Sequence, residues 1–291
     1  MVPPARSGPK GTSTAAARWS RLVKDRLAEA ERLRAGAGAT GGDYWNKSRA
    51  RRFSDRVTTA QTDPFLRRLR KVTGAKTTVL DVGAGAGRFS IALAPRAEAV
   101  TAVDPSEAMI RILRRRAKEA GASNITAVLG RWEDVEVAPA DVAFSAHVLP
   151  LVPDAATFLR KLDSAARRHA FLYTGAYWSD AIFDPFWRHF HGAPRKPGAT
   201  WVDAVAVLEE LGIQPQVEVV ELPYRARFRT VEEATADYAE QLLVPDTKEA
   251  RAELKHLLES WLIRRGDRFG PPIGTMPAAI MHWSGDSSTP A

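Results

Sequence analysis

The 291-residue sequence predicts an α/β fold in which a mostly parallel sheet carries helices on both faces. Two observations lead to this prediction. Short apolar runs rich in β-branched residues alternate with helical stretches through the middle of the chain, and the first of these runs ends in a cluster of glycines. Such alternation is typical of βαβ units, whose right-handed crossovers place helices on both faces of the sheet.

Five runs form the predicted parallel part of the sheet. Each is short and apolar, and turn residues or helical stretches separate it from the next. They cover residues 77–82, 99–104, 125–129, 141–145 and 170–174. Helices are predicted between them over residues 88–94, 106–121 and 154–168.

The C-terminal part is expected to complete a seven-stranded sheet. Residues 216–222 and 278–283 read as strands, and the final strand should run antiparallel beside the earlier one. Helices are predicted over residues 201–212, 230–243 and 248–264, the last two forming a helical insertion between the last two strands. The aromatic-rich segment 178–198 shows no clear periodicity.

The N-terminal part is predicted to be a helical extension. Residues 14–34 have the spacing of an amphipathic helix, residues 35–42 are a Gly/Ala-rich linker, and a second short helix should cover 44–57. Asp63 followed by Pro64 indicates the start of a further helix. The expected division is a tail, helix and linker over 1–42, one domain over 43–285 and a C-terminal tail over 286–291.

The positive charge of the chain is concentrated at its start. Residues 1–76 contain 18 Lys/Arg and 6 Asp/Glu, a net charge of +12, whereas the remainder has 24 and 28, a net charge of −4. Such a segment is either a docking arm for nucleic acid or another acidic surface, or a solvated helix. The absence of interleaved aromatic residues favours the solvated helix.

Composition narrows the class of protein. The sequence has no cysteine, which excludes disulfides, thiolate metal ligands and cysteine nucleophiles. It has no apolar run of about 18 residues and no secretory signal pattern, so a cytoplasmic protein without a membrane span is expected.

The strongest motif is Val79-Leu-Asp-Val-Gly-Ala-Gly-Ala-Gly-Arg88, an apolar strand that ends in alternating glycines. Glycine allows a tight turn and lets backbone approach a ligand closely. The helix that follows opens with free N–H groups, which favour an anionic group. The spacing is G-x-G-x-G; the G-x-G-x-x-G of dinucleotide binders would require glycine at Arg88.

A second signal lies at the end of the next strand. Asp104 follows Gly83 by 21 positions, and a carboxylate there can accept hydrogen bonds from both hydroxyls of a ribose. Gly130-Arg-Trp-Glu-Asp134 follows the third strand, and Asp141-Val-Ala-Phe-Ser-Ala-His-Val-Leu149 spans the fourth. With these motifs, residues 63–174 resemble the class I, Rossmann-like methyltransferases that use S-adenosylmethionine (SAM).

The resemblance implies a SAM site at the strand ends. The glycine loop would hold the methionine half of SAM, Asp104 the ribose and Asp81 the ammonium group, with Met109 and Trp132 beside the adenine. Many relatives carry Asp where this chain has Arg131, which has no acceptor, so Glu133 or a backbone carbonyl would serve the adenine amino group. The implied cofactor-binding residues are Asp81, Gly83, Ala84, Gly85, Gly87, Asp104, Pro105, Ser106, Met109, Arg131, Trp132, Glu133, Ser145 and Ala146.

Candidates for the acceptor side are less specific. His147 follows the fourth strand and is either a general base or a side chain that packs against the cofactor. The candidate substrate-binding residues are Trp45, Arg49, Phe53, His147, Tyr177, Trp178 and Trp187. His189 and His191 with Asp184 lack the spacing of a metal site, and no metal is predicted.

The sequence therefore predicts a SAM-dependent methyltransferase acting on a small, partly apolar organic acceptor. Two alternatives stay open. One is an RNA or protein methyltransferase that docks through the basic N-terminal region, and the other is a SAM-binding regulatory protein without catalysis. The acceptor, the atom methylated and the oligomeric state do not follow from the sequence.

Overall fold

The structure, a computed structural model, describes residues 13–36, 62–175, 178–223 and 227–285. For residue 36 and residues 178–181 it describes the backbone alone. Over these residues no helix is long and apolar enough to cross a membrane.

A seven-stranded sheet is the centre of the molecule, in the order β3-β2-β1-β4-β5-β9-β6. The first five strands pair in parallel, and β9 runs antiparallel to both of its neighbours. The strands are β1 (Thr78–Val82), β2 (Ala99–Asp104), β3 (Ile125–Leu129), β4 (Ala140–Ala146), β5 (Ala166–Gly175), β6 (Gln216–Pro223) and β9 (Thr275–Ser284). The predicted seven-stranded, mostly parallel fold with an antiparallel final strand is confirmed.

Helices cover both faces of this sheet. They are α1 (Ala15–Gly36), α2 (Pro64–Val72), α3 (Arg88–Leu93), α4 (Glu107–Glu119), α5 (Ala155–Ser164), α6 (Trp178–His191), α7 (Trp201–Glu210), α8 (Val231–Gln241) and α9 (Lys248–Trp261). Side-chain caps fix several starts: Asp63 accepts from Phe65 N, and Ser106 accepts from Met109 N. Each cap satisfies a backbone N–H that has no partner within its helix.

Two features of the C-terminal part differ from the prediction. The aromatic-rich segment 178–198, for which no element was predicted, forms α6 over its first 14 residues. The helix predicted to reach residue 264 ends at Trp261, and a short hairpin of β7 (Ile263–Arg265) and β8 (Arg268–Gly270) follows. Gly266 provides the positive φ of 64° that this tight turn requires.

Three apolar clusters organise the packing. One lies between the sheet and the face formed by α1, α5 and α7, and a second lies on the opposite face under α2 and α3. The third belongs to the insertion, where α6, α8 and α9 surround Tyr238.

Helix α1 is part of the first cluster rather than a separate extension. Trp19 is 1% exposed, and its Nε1 donates to Val152 O at 2.8 Å. The division at residues 42 and 285 stays a prediction, but α1 packs with the core of the predicted domain.

Candidate cofactor and acceptor site

The glycine loop between β1 and α3 is held against the end of β2. The N–H groups of Gly83 and Ala84 both donate to Val103 O, at 2.8 and 2.9 Å. Gly83, Gly85 and Gly87 have φ values of 75°, 55° and 81°, in the left-handed region that favours glycine. The loop therefore owes its path to three positions where a side chain would be strained.

The three glycines have different surroundings. A Cβ on Gly83 would lie 2.1 Å from Cγ2 of Val148, and one on Gly87 would lie 2.9 Å from Cδ1 of Ile91. A Cβ on Gly85 would have no neighbour within 4 Å. The outer glycines thus permit close packing within the protein, whereas Gly85 borders open space that a ligand can occupy.

Asp104 joins the glycine loop to the start of α4. Its Oδ2 accepts from Gly85 N at 2.8 Å, and its Oδ1 accepts from Ser106 N at 2.9 Å. Its main-chain oxygen also accepts from Gly130 N at 3.1 Å, which ties in the segment after β3. Through its carboxylate and its main-chain oxygen, this buried residue connects the ends of three strands at the edge where parallel α/β sheets bind ligands.

Asp81 lies behind the loop, 2% exposed, and accepts a 2.5 Å hydrogen bond from Ser90 Oγ. Burial raises the pKa of Asp81 to about 7; the Ser90 hydroxyl opposes this rise and the charge of Asp104 adds to it. A cation bound nearby would favour the ionised form, as the ammonium group assigned to Asp81 by the resemblance would do.

In the segment after β3, some side chains lie on the surface and one packs into the core. The exposed Arg131 has its Nε 3.7 Å from Oε2 of Glu133 and also 3.7 Å from Oδ2 of Asp134. Trp132 instead packs into the core, 6.5 Å from the Phe158 ring between centroids, and its Nε1 donates to Phe158 O at 3.3 Å. The indole thus supports the segment from the core, which differs from the place beside adenine that the resemblance implied.

Met109 is 1% exposed and packs with Ala86 of the glycine loop. This contact joins α4 to the loop. Pro105 is exposed at the turn between Asp104 and the Ser106 cap. Met109, Pro105 and Ser106 therefore all lie within the structure that Asp104 organises.

The C-terminal ends of β4 and β5 form the other half of the sheet edge at which the glycine loop and Asp104 lie. Ser145 is fully buried, and its Oγ has no hydrogen-bond partner. Two residues later His147 has φ 61°, which is uncommon outside glycine, and its N–H donates to Tyr173 O at 2.7 Å. Ala146 lies between them and is half-buried.

The His147 ring keeps accessible surface and lies against Tyr173, with 4.6 Å between ring centroids. Burial lowers the pKa of His147, and the positive charge of Arg88 lowers it further. The imidazole is therefore neutral at pH 7.

Three residues that the sequence did not single out surround His147. Arg88 Nη2 donates to Asp63 Oδ2 at 2.5 Å, while Asp63 Oδ1 caps α2. Burial and then the Asp63 charge raise the pKa of Tyr173, but no hydrogen bond of normal geometry joins its hydroxyl to a partner. The available signals were the Asp63 cap and the position of Arg88 directly after the last glycine; nothing local marked Tyr173.

Of the remaining acceptor candidates, the structure describes the side chain of Trp187 alone. Trp45, Arg49, Phe53 and Tyr177 lie outside the described residues, as does the side chain of Trp178 at the start of α6. Trp187 is 2% exposed within the insertion cluster.

The histidines of α6 also serve packing in the insertion. His189 Nε2 lies 2.8 Å from Glu253 Oε1, and His191 Nε2 lies 2.8 Å from Leu242 O. Within the described ranges no three His, Cys, Asp or Glu side chains are grouped as a metal site would require.

Several charged side chains of α1 form hydrogen bonds with other parts of the protein. Arg18 Nε donates to Asp203 Oδ1 at 2.9 Å, and Arg26 Nη1 donates to Lys196 O at 2.6 Å. Glu29 is buried and accepts from Lys196 N at 3.1 Å. These contacts fix α1 beside α7, so part of the basic N-terminal region serves the fold.

Comparisons with known proteins agree with this geometry. Residues 79–169 match the family model of a methyltransferase domain. An uncharacterised protein from Haemophilus influenzae is 28% identical over 148 residues, covering 49% of this chain and 53% of the relative. The chain thus matches about half the length of that curated relative.

Two solved structures share the fold. A methyltransferase candidate from Bacillus halodurans C-125 superposes with a TM-score of 0.53 at 18% identity, covering 77% of this chain and 99% of the other. The YcgJ protein from Bacillus subtilis gives a TM-score of 0.53 at 14% identity, covering 76% and 97%. At these identities the likeness concerns the fold.

Proposed function

We propose that the protein transfers the methyl group of SAM to a small, partly apolar organic acceptor, because residues 79–169 match a methyltransferase domain. The observation that carries the proposal is the arrangement around Asp104. One buried carboxylate holds the amides of Gly85 and Ser106, and Gly85 borders open space.

The residues at the strand ends fit SAM. The open side of Gly85 accepts a ligand that a Cβ would obstruct, and a cation favours the ionised form of Asp81. In this proposal Asp81 receives the ammonium group, the glycine loop the methionine part and Asp104 the ribose. Adenine would lie near Met109, with Glu133 as the half-buried acceptor candidate.

SAM would supply an activated methyl group on a sulfonium, so the protein's part is to orient the acceptor and exclude water. His147 is placed at the end of β4 with accessible surface. Its lowered pKa makes it a weak base, because a general base works best with a pKa near the working pH. We assign His147 to acceptor contact, because it lies at the end of β4 with accessible surface.

Cofactor binding tests the first half of this proposal. Calorimetry should detect micromolar binding of SAM and of S-adenosylhomocysteine, with NAD as the control ligand. Binding of NAD in preference to both adenosyl ligands would contradict the cofactor assignment.

Turnover tests the second half. SAM with a labelled methyl group should give labelled product with a panel of small aromatic acids, phenols and amines. Transfer to RNA or protein, with none to small molecules, would replace the acceptor class. Cofactor binding without transfer to small molecules, RNA or protein would instead indicate a regulatory SAM-binding protein.

A further inference from the structure

His147 lies in a group of four side chains at the ends of β4 and β5, next to the glycine loop. The other three members are Asp63, Arg88 and Tyr173. Arg88 donates a hydrogen bond to Asp63, and the Tyr173 ring lies tilted against the His147 ring. His147 is exposed, and about a third of the Arg88 side chain is accessible to solvent.

This group has more hydrogen-bond donors than acceptors. Arg88 Nε is buried without a partner, and the Tyr173 hydroxyl lies close to Asp63 but makes no hydrogen bond of normal geometry. The single carboxylate, Asp63, already accepts from Arg88 Nη2 and from Phe65 N. Buried donors without acceptors are costly, and a native structure usually satisfies them. The missing component is an acceptor oxygen.

The charge of the group indicates the kind of oxygen. Arg88 lies close enough to His147 for its positive charge to act on the ring, and the neutral imidazole does not offset that charge. A guanidinium held in place by a carboxylate binds anionic oxygens well, through planar and charge-assisted hydrogen bonds.

We propose that Arg88, beside His147, is a specificity-determining residue that selects acceptors entering as anions, either carboxylates or ionised hydroxyls. Asp63 and Tyr173 are positioning residues that hold Arg88 and the His147 ring. The accessible third of the Arg88 side chain is the part that an incoming oxygen would contact first. This inference rests on the proposed methyl transfer and names its substrate class.

The chemistry balances without a base. A lone pair of the anionic oxygen forms the new O–CH3 bond, the S–CH3 bond breaks, and its electron pair stays on sulfur. The anion and the sulfonium are both neutralised, and no proton moves. An acceptor that arrives ionised agrees with the absence of a strong base at His147.

The test uses benzoate as the probe and benzamide as its neutral, equally shaped control. Ligand-observed NMR measures both on the full chain saturated with S-adenosylhomocysteine. The wild type should bind benzoate at least about 10-fold more tightly than benzamide, because the charged oxygen gains stronger hydrogen bonds. In Arg88→Gln this preference should disappear.

Two variants control for structural damage. Arg67→Gln makes the same change at an exposed position of α2 and should keep the benzoate preference. The double variant Asp63→Asn/Arg88→Gln removes both charges together, so no buried carboxylate is left without its partner. It should fold, bind S-adenosylhomocysteine and lack the preference.

The cofactor's own carboxylate is the competing source of an anion. If Arg88 binds it, Arg88→Gln will weaken S-adenosylhomocysteine about 10-fold and leave 5′-methylthioadenosine, which lacks that carboxylate, unchanged. That result overturns the proposal, as does equal binding of benzoate and benzamide to the wild type. Failure of the wild type to bind S-adenosylhomocysteine would instead overturn the proposed function.

Discussion

The candidate ligand-binding edge of the sheet has two halves, which differ in whether their polar groups have hydrogen-bond partners. On the glycine-loop side, formed by residues 83–87, Asp104 and Ser106, loop amides are bonded to Val103 O and to the Asp104 carboxylate. On the histidine side, formed by Ser145, His147 and Tyr173, two buried hydroxyls lack partners and one residue has a positive φ. The first side is organised before any ligand arrives, whereas the second retains unsatisfied groups and local strain.

This difference indicates a division of labour. A cofactor used in every turnover benefits from a rigid site, because little entropy is lost on binding. Unsatisfied polar atoms and backbone strain are typical of sites where a ligand completes the structure. Five substitutions, arranged in four predictions, test the comparison from the largest expected effect to the smallest.

Asp104→Ala should disrupt the glycine-loop side most strongly. It removes the acceptor of two loop amides and the proposed ribose contact, so S-adenosylhomocysteine affinity should fall about 1,000-fold, or about 4 kcal/mol. Calorimetry at 25 °C measures this loss. Glu107→Ala, at an exposed acid three residues later, is the control and should bind normally. A loss of less than about 5-fold would contradict the organising role of Asp104.

Asp81→Asn should stabilise the cofactor-free protein and weaken cofactor binding. The folded pKa of about 7 lies above the ordinary 3.8, so the folded state binds this proton more tightly. Stability is therefore lost as pH rises from about 4 to 7, by at most about 4 kcal/mol.

The Tm of the Asp81→Asn variant should exceed that of the wild type at pH 8, and the difference should vanish at pH 4. S-adenosylhomocysteine affinity at pH 8 should fall about 10-fold, because the proposed ammonium contact loses its charge. A variant less stable than the wild type at pH 8 would show that burial of the ionised carboxylate is not the dominant cost.

Gly83→Ala and Gly85→Ala should show that two glycines of the same loop serve different purposes. Gly83 permits close packing within the protein, whereas Gly85 leaves space for the proposed ligand. At Gly83 the added methyl group collides with Val148 and the φ of 75° adds strain, so unfolding free energy should fall by about 3 kcal/mol. At Gly85 the strain alone costs about 1 kcal/mol, but the methyl group occupies the proposed cofactor space. Chemical denaturation and calorimetry measure the two effects.

Val148→Ala provides the control for the collision at Gly83. Combined with Gly83→Ala it makes room for the new methyl group, so the two stability losses should be less than additive. Additive losses would mean that the Val148 contact is not what requires glycine there.

Ser145→Ala should have the smallest effect, a gain of about 1 kcal/mol in the cofactor-free protein, because a buried hydroxyl without a partner is removed. Thermal unfolding measures this change. Ser164→Ala is the control, since that exposed hydroxyl donates to Arg160 O at 2.9 Å. A clear loss of stability in Ser145→Ala would show that the histidine side is satisfied after all.

Much of the glycine-loop side follows from the sequence. An apolar run that stops at spaced glycines, an acid at the end of the next strand and a Ser cap are local patterns, and local patterns act within a single turn or strand. The strands and helices of the sheet followed for the same reason, because periodicity of two or 3.6 residues separates strands from helices, whereas the antiparallel last strand was implied by the resemblance to methyltransferases.

The histidine side and the outer helices were decided by tertiary packing. Tyr173 lies in a continuous apolar run that indicates a buried strand, but only the packing of α2 and α3 places Asp63 and Arg88 beside it. Nothing local in the sequence distinguishes Trp132 and Trp187 from tryptophans that bind a ligand. Their burial depends on contacts with elements distant in the chain. Likewise α1 is basic by composition, yet Trp19 fixes it to Val152, just before α5, and Glu29 fixes it to Lys196, just before α7. Sequence patterns determine which segments become helices and strands, whereas contacts between distant segments decide which side chains remain available to a ligand.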